Sequence, residues 1–338
     1  MKPKAIDLFS GCGGLTLGLR QAGFQVIGAV EIDPLAVETY KANHKRVRVW
    51  TGDINDVSME EVMSKLNLKE GELDLLAGCP PCQGFSTMTT LNGHRNMDDK
   101  RNDLVFQYLR FVSGLRPKAV MMENVPGLMK DGRSGVLRKE LEALGYRCKM
   151  DVLDAYKYGV PQRRRRFILV AGHGKHIAFA PEAKVRLTVK DAFAKIRRPK
   201  RDVLHNLPHN PSPAVMDRIK RIPKDGGSRM DLGKEHQLKC HQNNDGFKDV
   251  YGRMAWGKPS PTITGGCFNP SKGRFLHPEE DRAISMREAA LLQSFPSDYT
   301  FSLSRGKIAV AQMIGNALPP EFIRRHAAMI VSDLRNRK

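Results

Sequence analysis

AIDLFSGCGGLTLGLRQAGFQVIGAVEIDPLAVETYKAN, residues 5–43, reads as strand, helix, strand, helix. Ala5 to Phe9 and Val26 to Val30 are short apolar runs of strand length, and Gly13 to Ala22 and Pro34 to Asn43 follow them with helical patterning. The rhythm continues outward. Val47 to Thr51, Leu73 to Ala77 and Ala119 to Met122 read as further strands, with helices at Met59 to Leu66 and from about Leu104 to Leu115. Two more strands are expected at Tyr146 to Leu153 and Arg166 to Ala171. Strands alternating with helices predict an α/β fold with a doubly wound, mostly parallel sheet. Near His173 the chain turns rich in Pro, Gly, Asn, His and basic residues, with weak periodicity, until about Pro278. A helix over Ser285 to Gln293 and an amphipathic segment over Pro319 to Arg335 restore order. The expected organisation is a main domain over residues 1–173, a smaller irregular domain over 174–280, and a segment over 281–338 that returns to the first.

The 338 residues hold 56 Lys and Arg against 36 Asp and Glu, a formal net charge of +20. Between Gly174 and Arg274 the balance is 21 basic to 9 acidic residues. A basic face concentrated in one segment points to a polyanion, most simply nucleic acid. Six cysteines without framework spacing argue against disulfides and for a reducing compartment. Cys79 and Cys82 form a C-x-x-C with no second pair, and His236, Cys240 and His241 lack a ligand pattern, so no metal is expected. The N-terminus leads directly into a strand-like segment, read as the absence of a signal peptide. No apolar run has the length to cross a bilayer, so a cytoplasmic protein is expected.

Two stretches hold the candidate chemistry. Asp7 to Gly14 (DLFSGCGG) joins the first strand to the first helix, where glycines admit a ligand against a positively polarised helix start. Glu31 ends the second strand, placed to accept from ribose hydroxyls, and Asp53 ends the third, within reach of an adenine amino group. On this pattern alone NAD, FAD and S-adenosylmethionine all fit, because Gly11-x-Gly13-Gly14 is not the dinucleotide fingerprint. The second stretch is Gly78 to Ser86 (GCPPCQGFS), which sets Cys82 on a loop just past a strand end, where a thiolate can act as nucleophile.

Six blocks then stand in order: DLFSGCGG at 7–14, EIDPLAVETY at 31–40, GCPPCQGFS at 78–86, MENVPGL at 122–128, QRRRRF at 162–167, and REAALLQSFP at 287–296 paired with QMIGNALPP at 312–320. Through them the chain resembles the DNA (cytosine-5) methyltransferases over nearly its full length, the basic insert being the weakest match. The resemblance implies a Rossmann-like methyltransferase fold with a target-recognition domain. It also implies S-adenosylmethionine as cofactor, lined by Phe9, Gly11, Glu31, Ile32, Asp53, Ile54, Pro81 and Leu104 and completed by Asn316 and Ala317. Cys82 is then the nucleophile toward carbon 6 of cytosine, and Glu123 the acid at ring nitrogen 3, beside Asn124. In the four-arginine run, alternation sends Arg164 and Arg166 to one face, and the family match picks the same two as active-site groups.

The target base must leave the duplex stack, and the polar loop from Gln83 to Asp103 looks like a lid over it, with Ser86 and Arg101 expected at the DNA. Arg229, Gln237, Gln242, Asn243, Asn244, Arg253 and Thr264 are the candidate contacts of the basic segment. The implied partner is double-stranded DNA, met by a monomer in the bacterial cytoplasm at the nucleoid, alone or linked in function to a cognate restriction endonuclease. A tRNA-modifying relative is the second reading, but the Cys-Phe-Thr tripeptide expected of it is absent from the sequence. A DNA-binding relative without catalysis would lack Pro81-Cys82 or Glu123-Asn124-Val125, both present here. A nicotinamide-dependent oxidoreductase leaves Cys82, Glu123 and Arg164 unexplained.

Overall fold

The computed structural model of the chain describes residues 2–81, 104–197, 199–237 and 248–336. Its strands are β1 (Lys4–Leu8), β2 (Gln25–Glu31), β3 (Arg48–Thr51), β4 (Leu75–Gly78), β5 (Ala119–Asn124), β6 (Tyr146–Asp154) and β7 (Arg165–His173). They form one sheet in the order β3-β2-β1-β4-β5-β7-β6. The five strands from β3 to β5 run parallel, and β7 enters antiparallel between β5 and β6. This is the mostly parallel, doubly wound sheet that the alternation predicts.

The central strands are mostly apolar, LLAG in β4 and AVMM at the start of β5. All residues of β4 and β5 are buried, as a parallel sheet covered on both faces requires. Leu8, Leu76, Phe111, Val120 and Leu169 belong to one continuous core. The strand order reverses between β1 and β4, so the loops leaving their carboxyl ends bound a crevice, the place where open α/β sheets take ligands. Those loops begin at Phe9 and Cys79.

The chain divides into two compact units: Met1–Tyr158 with Arg165–Glu182 and Leu318–Lys338, and Gly159–Arg164 with Ala183–Ala317. The first holds the sheet. Its last helix, Pro320–Arg335, buries Phe322, Ile323, Ala327 and Ile330, the apolar stripe that its sequence predicts. These units cut the chain elsewhere than the sequence expectation of breaks at 173 and 280. Residues 281–317 fall in the second unit, because the helices Met286–Leu292 and Gly306–Asn316 are tied to other residues of that unit by buried side-chain amides and an arginine.

The second unit has short helices and long connections, and among the described residues it adds no strand to the sheet. Buried polar groups do part of the work that regular hydrogen bonding does elsewhere. Arg282 meets the buried Glu288 through two bonds of 2.8 Å, and Ser285 and Glu288 close a capping box on the helix Met286–Leu292. Among the described residues no helix is long and apolar enough to cross a membrane.

Candidate active site

The loop after β1 is bent by left-handed residues: Phe9 has φ 59°, Gly11 φ 54° and Gly13 φ 93°. At Phe9 that conformation costs about 1–3 kcal/mol, strain of the kind that collects at binding sites. It brings the Gly11 amide to the Glu31 carboxylate, N to Oε2, at 2.6 Å, while the Asp33 amide donates to Oε1 at 2.8 Å. Burial raises the Glu31 carboxyl above its ordinary pKa, opposed by these amides. Ile32, directly after β2, is 63% exposed, unusual for an isoleucine. Asp53 is exposed and caps the turn Ile54–Asp56, its Oδ1 accepting from Asn55 N at 2.9 Å and Asn55 Nδ2 at 2.7 Å. A carboxylate able to accept further donors, an exposed apolar side chain beside it and a second exposed carboxylate suit a nucleoside. The Ile54 side chain is in the core and its carbonyl accepts from Arg110 at 2.7 Å. Leu104 packs half-buried on the core, and Pro81 is exposed.

At the carboxyl end of β5, Glu123 pairs with Ile168 and Asn124 with Phe167 of β7. That register sets Arg166 diagonally opposite Glu123, and Arg166 Nε meets Glu123 Oε1 at 2.8 Å. Both side chains are largely buried. Asn124 Nδ2 donates to Pro80 O at 3.0 Å and its Oδ1 accepts from Val125 N at 2.8 Å, so it fixes the segment two residues before Cys82. Cys79 is pushed well above the usual thiol range by burial and by the charge of Glu123, and burial drives Cys12 up to about 12. Both stay as thiols at neutral pH, which disqualifies them as ready nucleophiles. Cys82, Ser86 and Arg101 lie outside the described residues.

Arg164 is held by backbone carbonyls. It is 2% exposed, and its terminal nitrogens donate to Ile263 O at 3.0 Å and Gly315 O at 2.9 Å within the second unit. It braces backbone there, while Arg166 alone of the pair meets Glu123. β7 begins at Arg165, one residue ahead of the expected start at Arg166, and Arg164 precedes it.

The candidate DNA contacts divide sharply. Arg253 is fully buried, bonded to the carbonyls of Ile219, Ile222, His277 and Glu280 and to Asp281. Arg229 is 2% exposed. Neither can present its guanidinium to a base, which corrects both expectations. Gln237 donates to Leu232 O at 2.9 Å and lies near Arg229. Thr264 is exposed, as is Asn316, with Ala317 half-buried beside it. Gln242, Asn243, Asn244, Cys240 and His241 are outside the described residues. Among the described residues no three His, Cys, Asp or Glu side chains gather as a metal site.

The C-5 cytosine-specific DNA methylase model matches residues 3–332. The chain belongs to that family. It is 34% identical to the Type II methylase M.HgiDII of Herpetosiphon aurantiacus, over 93% of this chain and 91% of that protein. It is 36% identical to the Type II methyltransferase M1.HphI of Haemophilus parahaemolyticus, over 93% and 83% of the two chains. A solved Escherichia coli prophage protein described as a putative DNA modification methyltransferase superposes with a TM-score of 0.75 at 25% identity, covering 99% of each chain.

For this DNA cytosine-5 methyltransferase, sequence reasoning passed over two buried amides inside its own motif blocks. Gln162 and Gln293 are both 0% exposed and bonded to each other at 2.9 Å. The available signal was an uncharged polar residue beside an apolar helix end, Leu291-Leu292-Gln293, where burial demands a partner. Asp7 was also passed over. It is fully buried, and an acid inside an apolar strand was its signal.

Proposed function

We propose that this methyltransferase moves a methyl group from S-adenosylmethionine to carbon 5 of a cytosine flipped out of duplex DNA, through a bond from Cys82 to carbon 6. One observation supports the reading most: consecutive residues Glu123 and Asn124 bond, respectively, to Arg166 and to the carbonyl of Pro80, two residues ahead of Cys82.

When bound, S-adenosylmethionine supplies an electrophilic methyl group on a positively charged sulfur. In this reading Glu31 accepts from the ribose hydroxyls, Phe9 and Ile32 cover the adenine, and Asp53 takes its amino group. Gly11, Ile54, Pro81 and Leu104 line the same site, and Asn316 and Ala317 are assigned to it by motif match. No metal takes part.

The Cys82 thiolate adds to carbon 6 of the flipped base, which ends the ring's aromaticity and makes carbon 5 electron-rich. Glu123 neutralises the charge that develops by giving a proton at nitrogen 3, and Arg166 fixes the direction of that carboxyl through Oε1. Asn124 holds the Pro80 backbone so that the following cysteine meets the base in one orientation. After methylation carbon 5 loses its proton to a base, the carbon 6–sulfur bond breaks and restores the thiolate, and nitrogen 3 returns its proton to Glu123. Residues of the second unit read the duplex, with Thr264 on the phosphate backbone, and the lysines of the basic segment make binding fall steeply with salt. The enzyme works as a monomer in the cytoplasm, beside a cognate nuclease of a restriction-modification pair or alone.

Incubation with tritiated S-adenosylmethionine tests the reading, with mixed-sequence duplex DNA in one arm and tRNA in the other. The expected product is labelled 5-methylcytosine in DNA only. Label in tRNA, or none in either at low salt, overturns the assignment.

A further inference from the structure

A closed ring of buried hydrogen bonds runs through the second unit. Ile263 N donates to Gln162 Oε1 at 2.8 Å, and Gln162 Nε2 donates to Gln293 Oε1 at 2.9 Å. Gln293 Nε2 in turn donates to Ile314 O at 2.6 Å and to Ala317 O at 3.2 Å. Arg164 closes the circuit by donating to Gly315 O at 2.9 Å and to Ile263 O at 3.0 Å. All three side chains are buried.

The ring encloses a contact of backbone on backbone. A Cβ built on Gly315 would fall 2.2 Å from Gly265 N and 2.3 Å from the carbonyl carbon of Thr264. The helix Gly306–Asn316 therefore touches the loop around Thr264 with no side chain between them. Apolar side chains of equal volume would fill the same space but would not fix this register, because dispersion has no direction and an amide does. Two exposed residues leave the two ends of the ringed element: Thr264 directly follows Ile263, and Asn316 directly follows Gly315.

We propose that Gln162 and Gln293 are positioning residues of the methyl-transfer reaction. Their amides hold Thr264, assigned to DNA, and Asn316 with Ala317, assigned to the cofactor, as one rigid piece, so that each ligand binds more tightly when the other is present. The proposal rests on the assignments made under the proposed function. By linkage, the factor by which DNA tightens cofactor binding equals the factor by which cofactor tightens DNA binding, and the ring sets its size.

The test uses the full chain, S-adenosylhomocysteine as the cofactor probe and a mixed-sequence duplex. Dissociation constants for each ligand are measured with and without the other for wild type, Gln293→Met and Gln162→Met, which keep the volume and remove the amide. Thr262→Val is a third, milder variant: it removes only the bond from Thr262 Oγ1 to Arg163 O at 2.7 Å, at the rim of the ring. The expected result is a wild-type coupling factor of about fivefold or more that falls toward one in both Met variants. KM for both ligands should rise by about five- to tenfold, with kcat changed less than either KM. Thr262→Val should reduce the factor by a smaller amount. A folded Met variant that keeps the wild-type factor overturns the proposal. If neither Met variant folds, an unchanged factor in Thr262→Val overturns it. Wild type that binds neither ligand defeats the functional reading instead, a separate and distinguishable failure.

Discussion

Arg166 and Arg253 are the same side chain put to opposite uses. Arg166 stands in β7, in an antiparallel register that fixes which neighbour it meets, and it meets the carboxylate of Glu123. Arg253 stands where regular structure is sparse, and its guanidinium holds four carbonyls and Asp281 together. In the sheet, the backbone satisfies itself and frees side chains for chemistry. In the irregular unit, side chains complete the backbone's hydrogen bonds and lose their freedom. A count of basic residues therefore measures the field around the protein, and does not say which arginine reaches the DNA.

That contrast breaks or sharpens under substitution. The largest effect belongs to the sheet end: Glu123→Gln should slow methyl transfer by about two to four orders of magnitude with the melting temperature nearly unchanged. A single-turnover rate near wild type removes the acid from the account. Arg253→Met should do the reverse. Loss of that buried cation removes its bonds to four carbonyls and to Asp281, which keeps Lys224, and should cost about 3–5 kcal/mol in urea unfolding. A stable Arg253→Met protein with weakened DNA binding assigns that residue to the DNA and not to the brace.

Asp7 gives a smaller effect that depends on pH. It is fully buried, Thr16 Oγ1 donates to its Oδ2 at 2.6 Å, and burial pushes its carboxyl from 3.8 to about 7. Between those two values the folded chain keeps a proton that the unfolded chain has lost. This group's contribution to stability is thus full below 3.8, falls as pH rises through the window and is flat above about 7. Asp7→Asn removes that slope, so melting curves at pH 5 and pH 8 should lie closer together than in wild type. A wild-type difference that persists in Asp7→Asn contradicts the burial argument. The smallest effect is expected at the exposed Thr264, where Thr264→Val should weaken duplex binding by about 1 kcal/mol and lower the salt slope little, since the lost contact is uncharged.

The sheet was legible because each strand is an apolar run closed by punctuation. Leu73 to Ala77 ends at Gly78, and the observed strand covers Leu75–Gly78. The helix Gly306–Asn316 was not read, because a glycine starts it, Gly315 interrupts its last turn and its apolar residues surround the block instead of forming a stripe. The bend after β1 and its bond to Glu31 were legible as a pattern of glycines and a strand-end acid, since short loops after strands have few ways to run. The bracing roles of Arg164, Gln162 and Arg253 were not, because their partners lie up to 151 residues away and no local period encodes them. Ile54 shows the limit inside a matched block: the match picks out the position and says nothing of whether amide or side chain faces the ligand.

Methyl transfer by the proposed route requires a sulfur–carbon bond between Cys82 and the base. The most direct measurement incubates the enzyme with S-adenosylmethionine and mixed-sequence duplex DNA carrying 5-fluorocytosine, whose carbon 5 has no proton to lose, followed by denaturing electrophoresis and peptide mass spectrometry. The account predicts a stable protein–DNA adduct whose cross-linked peptide contains Cys82 and which is absent from Cys82→Ser. No adduct from folded, cofactor-binding enzyme, or an adduct on another cysteine, contradicts it.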